Sequence, residues 1–223
     1  LDIHSFSQLV LWPWGDSASP APNGAAPATL GRRFAWFNGY TPMQSVGLYP
    51  TDGTSDAVSY GELGVPAYTF ELGTSFFESC ATFTSSIKPG NLPALMYAAK
   101  VVRAPYLTPS GPQITELAWL DSGVVAPGGA AKLHATASDL RFNQSEGSEA
   151  TQAIAGAEAY VDTPPWLPGA VALPLSAGDR HEVGLLDGPV GAQATRGQAQ
   201  LRAKGAHDAL ALLGGRIRHE PGP

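Results

Sequence analysis

Three residues of this chain have types and surroundings suited to chemistry. His4 sits in DIHSFSQLVLWPWG (2–15), between a strand-like apolar run and a serine. It reads either as a core histidine with a satisfied hydrogen bond or as a metal ligand whose partners lie elsewhere. Glu71 ends the strand-like VPAYTFEL (65–72), flanked by Phe70 and Leu72 and followed by Gly73. A carboxylate at the end of so apolar a strand is costly unless it is paired, faces a metal or carries a raised pKa. The plainer reading is an edge-strand glutamate whose head reaches solvent. Tyr49 stands 22 residues before Glu71, on a loop that opens into Pro50 and Gly53.

Other candidate chemistry is thin. No G-x-S-x-G elbow, Walker loop or G-x-G-x-x-G occurs. SSIK (85–88) and GDSAS (15–19) are too short to specify anything, and NQS (143–145) matters only in a eukaryotic secretory setting. His134, His181, His207 and His219 show no ligand spacing and read as surface or structural residues. None of the five histidines is followed by glutamate at the third position, so no H-x-x-E pair is present.

The elements that must position these residues come from the patterning. Leu1 to Ile3 and Leu9 to Leu11 read as strands, 28–40 as a helix with Thr29 as a candidate cap, and 65–72 as a strand. YGELG (60–64) reads as a turn. Residues 91–103 read as a helix with Leu92, Leu95, Met96, Ala99 and Val102 on one face and Pro93 in its first turn. Such alternation predicts an α/β layer architecture over 1–104. A linker over 105–112 leads to short strands at 114–121, 131–137, 155–162 and 170–177, the spacing of a small β-sandwich over 113–180, with Trp166 at a rigid DTPPW turn. The stretch 181–223 loses aromatic residues, is Gly/Ala-rich, and reads as a disordered tail or an altered reading frame.

DIHSFSQLVLWPWG and AYTFELG resemble the zinc carboxypeptidase family of the carboxypeptidase A/B/T type. WFNGY and QSVGLYPTDGTSD resemble its bacterial branch. The resemblance covers about residues 1–103, roughly the second half of such a catalytic domain, a partial mixed sheet with helices. It implies Zn2+ as cofactor, with His4 as one ligand and the remaining ligands upstream of this chain. Glu71 then corresponds to the general base that takes a proton from the zinc-activated water and passes it to the leaving amine. Tyr49 corresponds to the mobile tyrosine that binds near the substrate's C-terminal carboxylate. Ser5 and Phe6 correspond to residues beside the metal, and Asp56 to one near the specificity pocket, where an acid would favour basic side chains. Ala57 and Val58 depart from the family's aspartate and aromatic residue at those positions. Peptide or protein C-termini are the implied substrates, and an extracellular or periplasmic location the implied setting. The family's H-x-x-E and substrate-binding arginines are missing here, so the chain alone is expected to be inactive. The rival reading is a non-catalytic protein binding a surface or polymer on a degraded carboxypeptidase scaffold.

Composition sets bounds around this. The 223 residues suffice for a sizeable core, and a net charge of −6 argues against nucleic acid as a partner. No apolar run approaches the ~18 residues of a membrane span. Gly 26 and Pro 20 point to many turns. Cys80 has no partner cysteine in the sequence; it either pairs outside it or is a small buried apolar residue.

Overall fold

The computed structural model describes residues 1–119, 132–139, 156–161, 163, 167–170, 173–175, 186–187, 198–204 and 209–216. They fall into two compact units, one holding residues 1–110 and one holding those from 111 onward.

The first unit is a mixed α/β fold. Its strands are β1 (Asp2–His4), β2 (Leu9–Trp12), β3 (Thr41–Gln44) and β4 (Thr69–Glu71), in the sheet order β1-β4-β2-β3. β4 runs parallel to β1 and antiparallel to β2, and β2 runs parallel to β3. The helices are α1 (Ala25–Asn38), α2 (Ser55–Leu63), α3 (Cys80–Thr82) and α4 (Lys88–Val101), with a π-helical turn at Phe83–Ile87 joining the last two.

Aromatic packing holds the layers together. Phe34 of α1 meets Tyr68 and Phe70 edge-on, with ring centroids 5.1 and 5.3 Å apart, and reaches Tyr97 of α4 at 6.2 Å. Edge-to-face pairs of this kind add about 0.5–1.5 kcal/mol each beyond the area they bury. Val10 and Phe70 complete the core from the middle strands and are fully buried. α1 can lie so close to β2 because residue 31 is glycine: a Cβ there would meet the Trp12 ring at 2.6 Å.

Several elements differ from the sequence expectations. α1 begins at Ala25 with Gly24 as its N-cap, so Thr29 is a buried interior residue, not a cap. It ends at Asn38, short of the span read from sequence, because Gly39 caps it in the left-handed conformation. The YGELG stretch is the last turn of helix α2, closed by Gly64 at φ +65°, and not an isolated turn. α4 starts earlier than expected, which places Pro93 inside the helix. Its buried face is Asn91, Ala94, Tyr97 and Val101, while Leu92, Met96, Ala99 and Val102 are exposed. The reason is polar: Asn91 donates to the Tyr40 hydroxyl at 2.8 Å and accepts from Asn38 at 3.0 Å, which turns that side inward with small Ala94 and the Tyr97 ring. The Cys80 side chain is exposed, which rules out the buried-residue reading.

In the second unit the described strands are β5 (Gln113–Trp119), β6 (Lys132–Ser138), β7 (Gly156–Val161), β8 (Leu173–Leu175), β9 (Leu186–Asp187), β10 (Gln198–Lys204) and β11 (Ala209–Arg216). They pair antiparallel as β5-β6-β9 and β11-β10-β7-β8. β9, β10 and β11 lie within the stretch read from sequence as a Gly/Ala-rich tail. Trp166, Asn143, His181, His207 and His219 lie outside the described residues.

The glycines of the two long helices give a paired test. Gly31→Ala gains helix propensity of about 1 kcal/mol but collides with Trp12, an overpacking cost of about 1–3 kcal/mol, so it should lower the urea midpoint. Gly90→Ala in α4 meets nothing within 4 Å and should raise it.

Candidate active site

The parallel register of β1 and β4 places His4 directly opposite Glu71 and Asp2 opposite Thr69. Side chains alternate along a strand, so these four residues share one face of the sheet. Phe70 points the other way into the core. On that face His4 Nδ1 lies 3.7 Å from Glu71 Oε1, and His4 Nε2 lies 3.0 Å from Asp2 Oδ2. Asp2 also accepts a short hydrogen bond from the Ser55 hydroxyl, at the start of α2. Glu71 is largely enclosed, with 13% of its side chain exposed, against 50% for His4.

Burial raises the pKa of the Glu71 carboxyl above the ordinary value; the neighbouring imidazole of His4 pulls it down and the Asp2 carboxylate pushes it further up. Asp2 is held below the ordinary carboxylate range, first by the Ser55 hydrogen bond. Two acids 69 positions apart in sequence thus titrate in opposite directions. Such a division leaves one carboxyl suited to carrying a proton and the other suited to remaining an anion.

Tyr49 arrives from the loop that follows the 3-10 turn Ser45–Gly47. Three backbone and side-chain contacts hold this loop against the end of the WPWG segment. Val46 N–H donates to Trp14 O at 3.1 Å, and Thr51 N–H to Gly15 O at 2.8 Å. A Cβ on Gly15 would meet Thr51 Oγ1 at 2.5 Å and the Thr51 carbonyl oxygen at 3.1 Å, so a larger residue there would force Thr51 to shift. Ser45 donates to Asp56 Oδ2 at 2.7 Å and lies 2.9 Å from the Trp12 carbonyl. Tyr49 itself is 60% exposed, over a cavity of about 190 Å³. His4, Glu71 and Asp56 line the same cavity, together with Asp2, Thr69 and Ser55.

Four of the six residues singled out from sequence therefore meet in one cavity. Asp56 is there as a buried residue, 3% exposed and hydrogen-bonded to Ser45. Ser5 lines a larger hollow of about 630 Å³ that His4 also borders, and its hydroxyl donates to the Phe76 carbonyl at 3.3 Å. Phe6 packs edge-on against Phe76, centroids 4.8 Å apart. Sequence reading missed Asp2, Ser55 and Thr69. The period-2 rule applied from His4 could have found Asp2; Ser55 reaches the site only through tertiary structure.

A catalytic zinc takes three protein ligands and keeps a fourth position open. Among the described residues no group of three or more histidine, cysteine, aspartate or glutamate side chains is arranged to hold a metal. His4 has the right donor chemistry for one position, and the other two have no counterpart beside it.

Comparison with known proteins agrees with this geometry. Residues 1–89 match the family model for zinc carboxypeptidases, so this stretch is similar to that family. A protein of Saccharothrix mutabilis subsp. capreolus named zinc carboxypeptidase is 41% identical over 78 residues, covering 32% of this chain and 18% of the relative. The chain thus spans under a fifth of the length of that relative.

The electrostatics of the cavity can be checked by NMR titration of the carboxyl carbons. Asp2→Asn should lower the Glu71 pKa and His4→Gln should raise it, because each removes the neighbour that acts in the opposite sense. The sign for stability follows. A carboxyl whose folded pKa is raised binds its proton more tightly when folded, so stability falls as pH rises from the ordinary glutamate value through the raised one. Glu71→Gln should remove that fall, measured as a flatter urea midpoint against pH. Ser45→Ala leaves the buried Asp56 without this donor and should destabilise by about 1–3 kcal/mol.

Proposed function

We propose that residues 1–104 contribute to the active site of a zinc-dependent metallocarboxypeptidase that hydrolyses C-terminal residues from peptides. The observation that carries this reading is the facing pair His4 and Glu71 on one lined cavity, within a stretch of matching family. His4 supplies one zinc ligand, and the other ligands come from outside the described residues. Zinc, when bound, supplies a Lewis acid and lowers the pKa of a coordinated water toward ~7.

The residues of this chain then have separate tasks. Glu71, enclosed and raised in pKa, takes the proton of the attacking water at a carboxylate oxygen and delivers it to the departing amine. Tyr49, on an exposed loop over the cavity, hydrogen-bonds near the substrate's terminal carboxylate. Ser5 and Phe6 form the wall beside His4. Asp56 contributes to the side-chain pocket from below the surface, through the wall it forms with Ser45. With a single imidazole in place, the 223-residue chain by itself is inactive. The strands from 113 onward form an accessory β-domain serving attachment or stability, and the protein acts outside the cytoplasm.

The in-frame codons upstream of Leu1 are expected to encode an H-x-x-E pair followed by arginines. Expressed with that sequence, the protein should release C-terminal residues from peptides until a chelator is added. Glu71→Gln should then lower kcat by about 10²–10⁴-fold with KM little changed. A stop codon or unrelated upstream sequence, or a Glu71→Gln variant of undiminished activity, overturns the reading.

A further inference from the structure

The pairing of His4 is asymmetric. Its Nε2 is within hydrogen-bond reach of Asp2 at 3.0 Å, whereas its Nδ1 is 3.7 Å from Glu71, beyond that reach. A neutral imidazole carries one N–H, and the partner that accepts it decides which nitrogen keeps its lone pair. Asp2 is not a loose surface acid. Its backbone N–H is fixed to the Tyr68 carbonyl at 2.9 Å, and its carboxylate takes the Ser55 hydroxyl from the first turn of α2. The acceptor facing Nε2 is therefore held from two elements, the parallel ladder and the helix start.

We infer that Asp2, itself aligned by Ser55, is a positioning residue that fixes His4 as the Nε2–H tautomer and turns the Nδ1 lone pair toward the cavity lined by Glu71. This deepens the peptidase reading and rests on it for its purpose, because a ligand must offer one nitrogen in one orientation. Carboxylates hydrogen-bonded to ligating imidazoles set tautomer and ring direction in metal sites generally. Here the two-residue spacing Asp2-x-His4 provides that pairing within a single strand, since residues i and i+2 share a face.

The close approach of His4 Nε2 to Asp2 is a property of the chain without metal, so its consequence can be read before any question of zinc or catalysis. The full chain, with its histidine rings labelled with ¹⁵N, is examined metal-free by long-range ¹H–¹⁵N correlation at a pH where imidazole is neutral. The His4 signals are assigned by their loss in His4→Gln. Wild type should show His4 as the Nε2–H tautomer with a slowly exchanging Nε2 proton. Asp2→Ala should abolish the slow exchange and return the tautomer ratio to that of free imidazole. Ser55→Ala, which leaves the strand sequence intact, should shift both in the same direction by a smaller amount. A wild-type His4 that is Nδ1–H, or one with the free-imidazole ratio and fast exchange, overturns the inference whether or not the Asp2 variant folds. Unchanged spectra in both variants also overturn it. Failure of the peptidase reading would leave these spectra as they are, so the two outcomes are separable.

Discussion

The arrangement of the first unit depends on the register of one short parallel ladder, β1 against β4. Three residue pairs set it: Asp2 with Thr69, Ile3 with Phe70, and His4 with Glu71. Phe70 is fully buried among Phe34, Tyr68 and Tyr97, and a slip by one residue would carry that ring to the opposite face of the sheet. The apolar core therefore fixes the polar face. Burying Phe70 is what obliges Glu71 to lie beside His4, and the aromatic cluster does more to define the cavity than any bond within it.

The walls of the cavity show the same division of labour. β2, on the far side of β4, brings Leu9 opposite Glu71 and Leu11 opposite Thr69, so an apolar flank desolvates the carboxyl. The loop carrying Tyr49 is anchored at its ends by Gly15, Ser45 and Thr51, which leaves the tyrosine itself free above the opening. Rigid attachment with an exposed tip is a common arrangement for residues that must meet a ligand, since the anchors limit the entropy lost on contact.

How much of this was legible in the sequence varied with range. The mixed α/β character and the strands carrying His4 and Glu71 were readable, because alternation acts over a few residues. The face of α4 was not. Its apolar count favours Leu92 and Met96, yet Asn91 turns inward to satisfy Tyr40 and Asn38, partners more than fifty positions away. The YGELG end of α2 was read as a turn since the residues there have little apolar periodicity; in the structure it is the last helical turn, closed by the Gly64 cap. Of the residues lining the cavity, His4, Glu71, Tyr49 and Asp56 had been singled out by the residues around them. Ser55 was not, because its partner Asp2 is brought to it by the sheet.

One contact set also bears on how the protein ages. The Gln44 side-chain amide donates to three carbonyls at once, those of Trp14, Ser17 and Ser19, at 3.2, 2.7 and 3.1 Å. A single nitrogen thus ties the chain leaving WPWG to the end of β3. Hydrolytic deamidation at this position would put a carboxylate oxygen where three oxygens already converge, turning every attraction at that point into a repulsion. Gln44 is half-buried, so the joint between these two segments rests on one partly sheltered side chain.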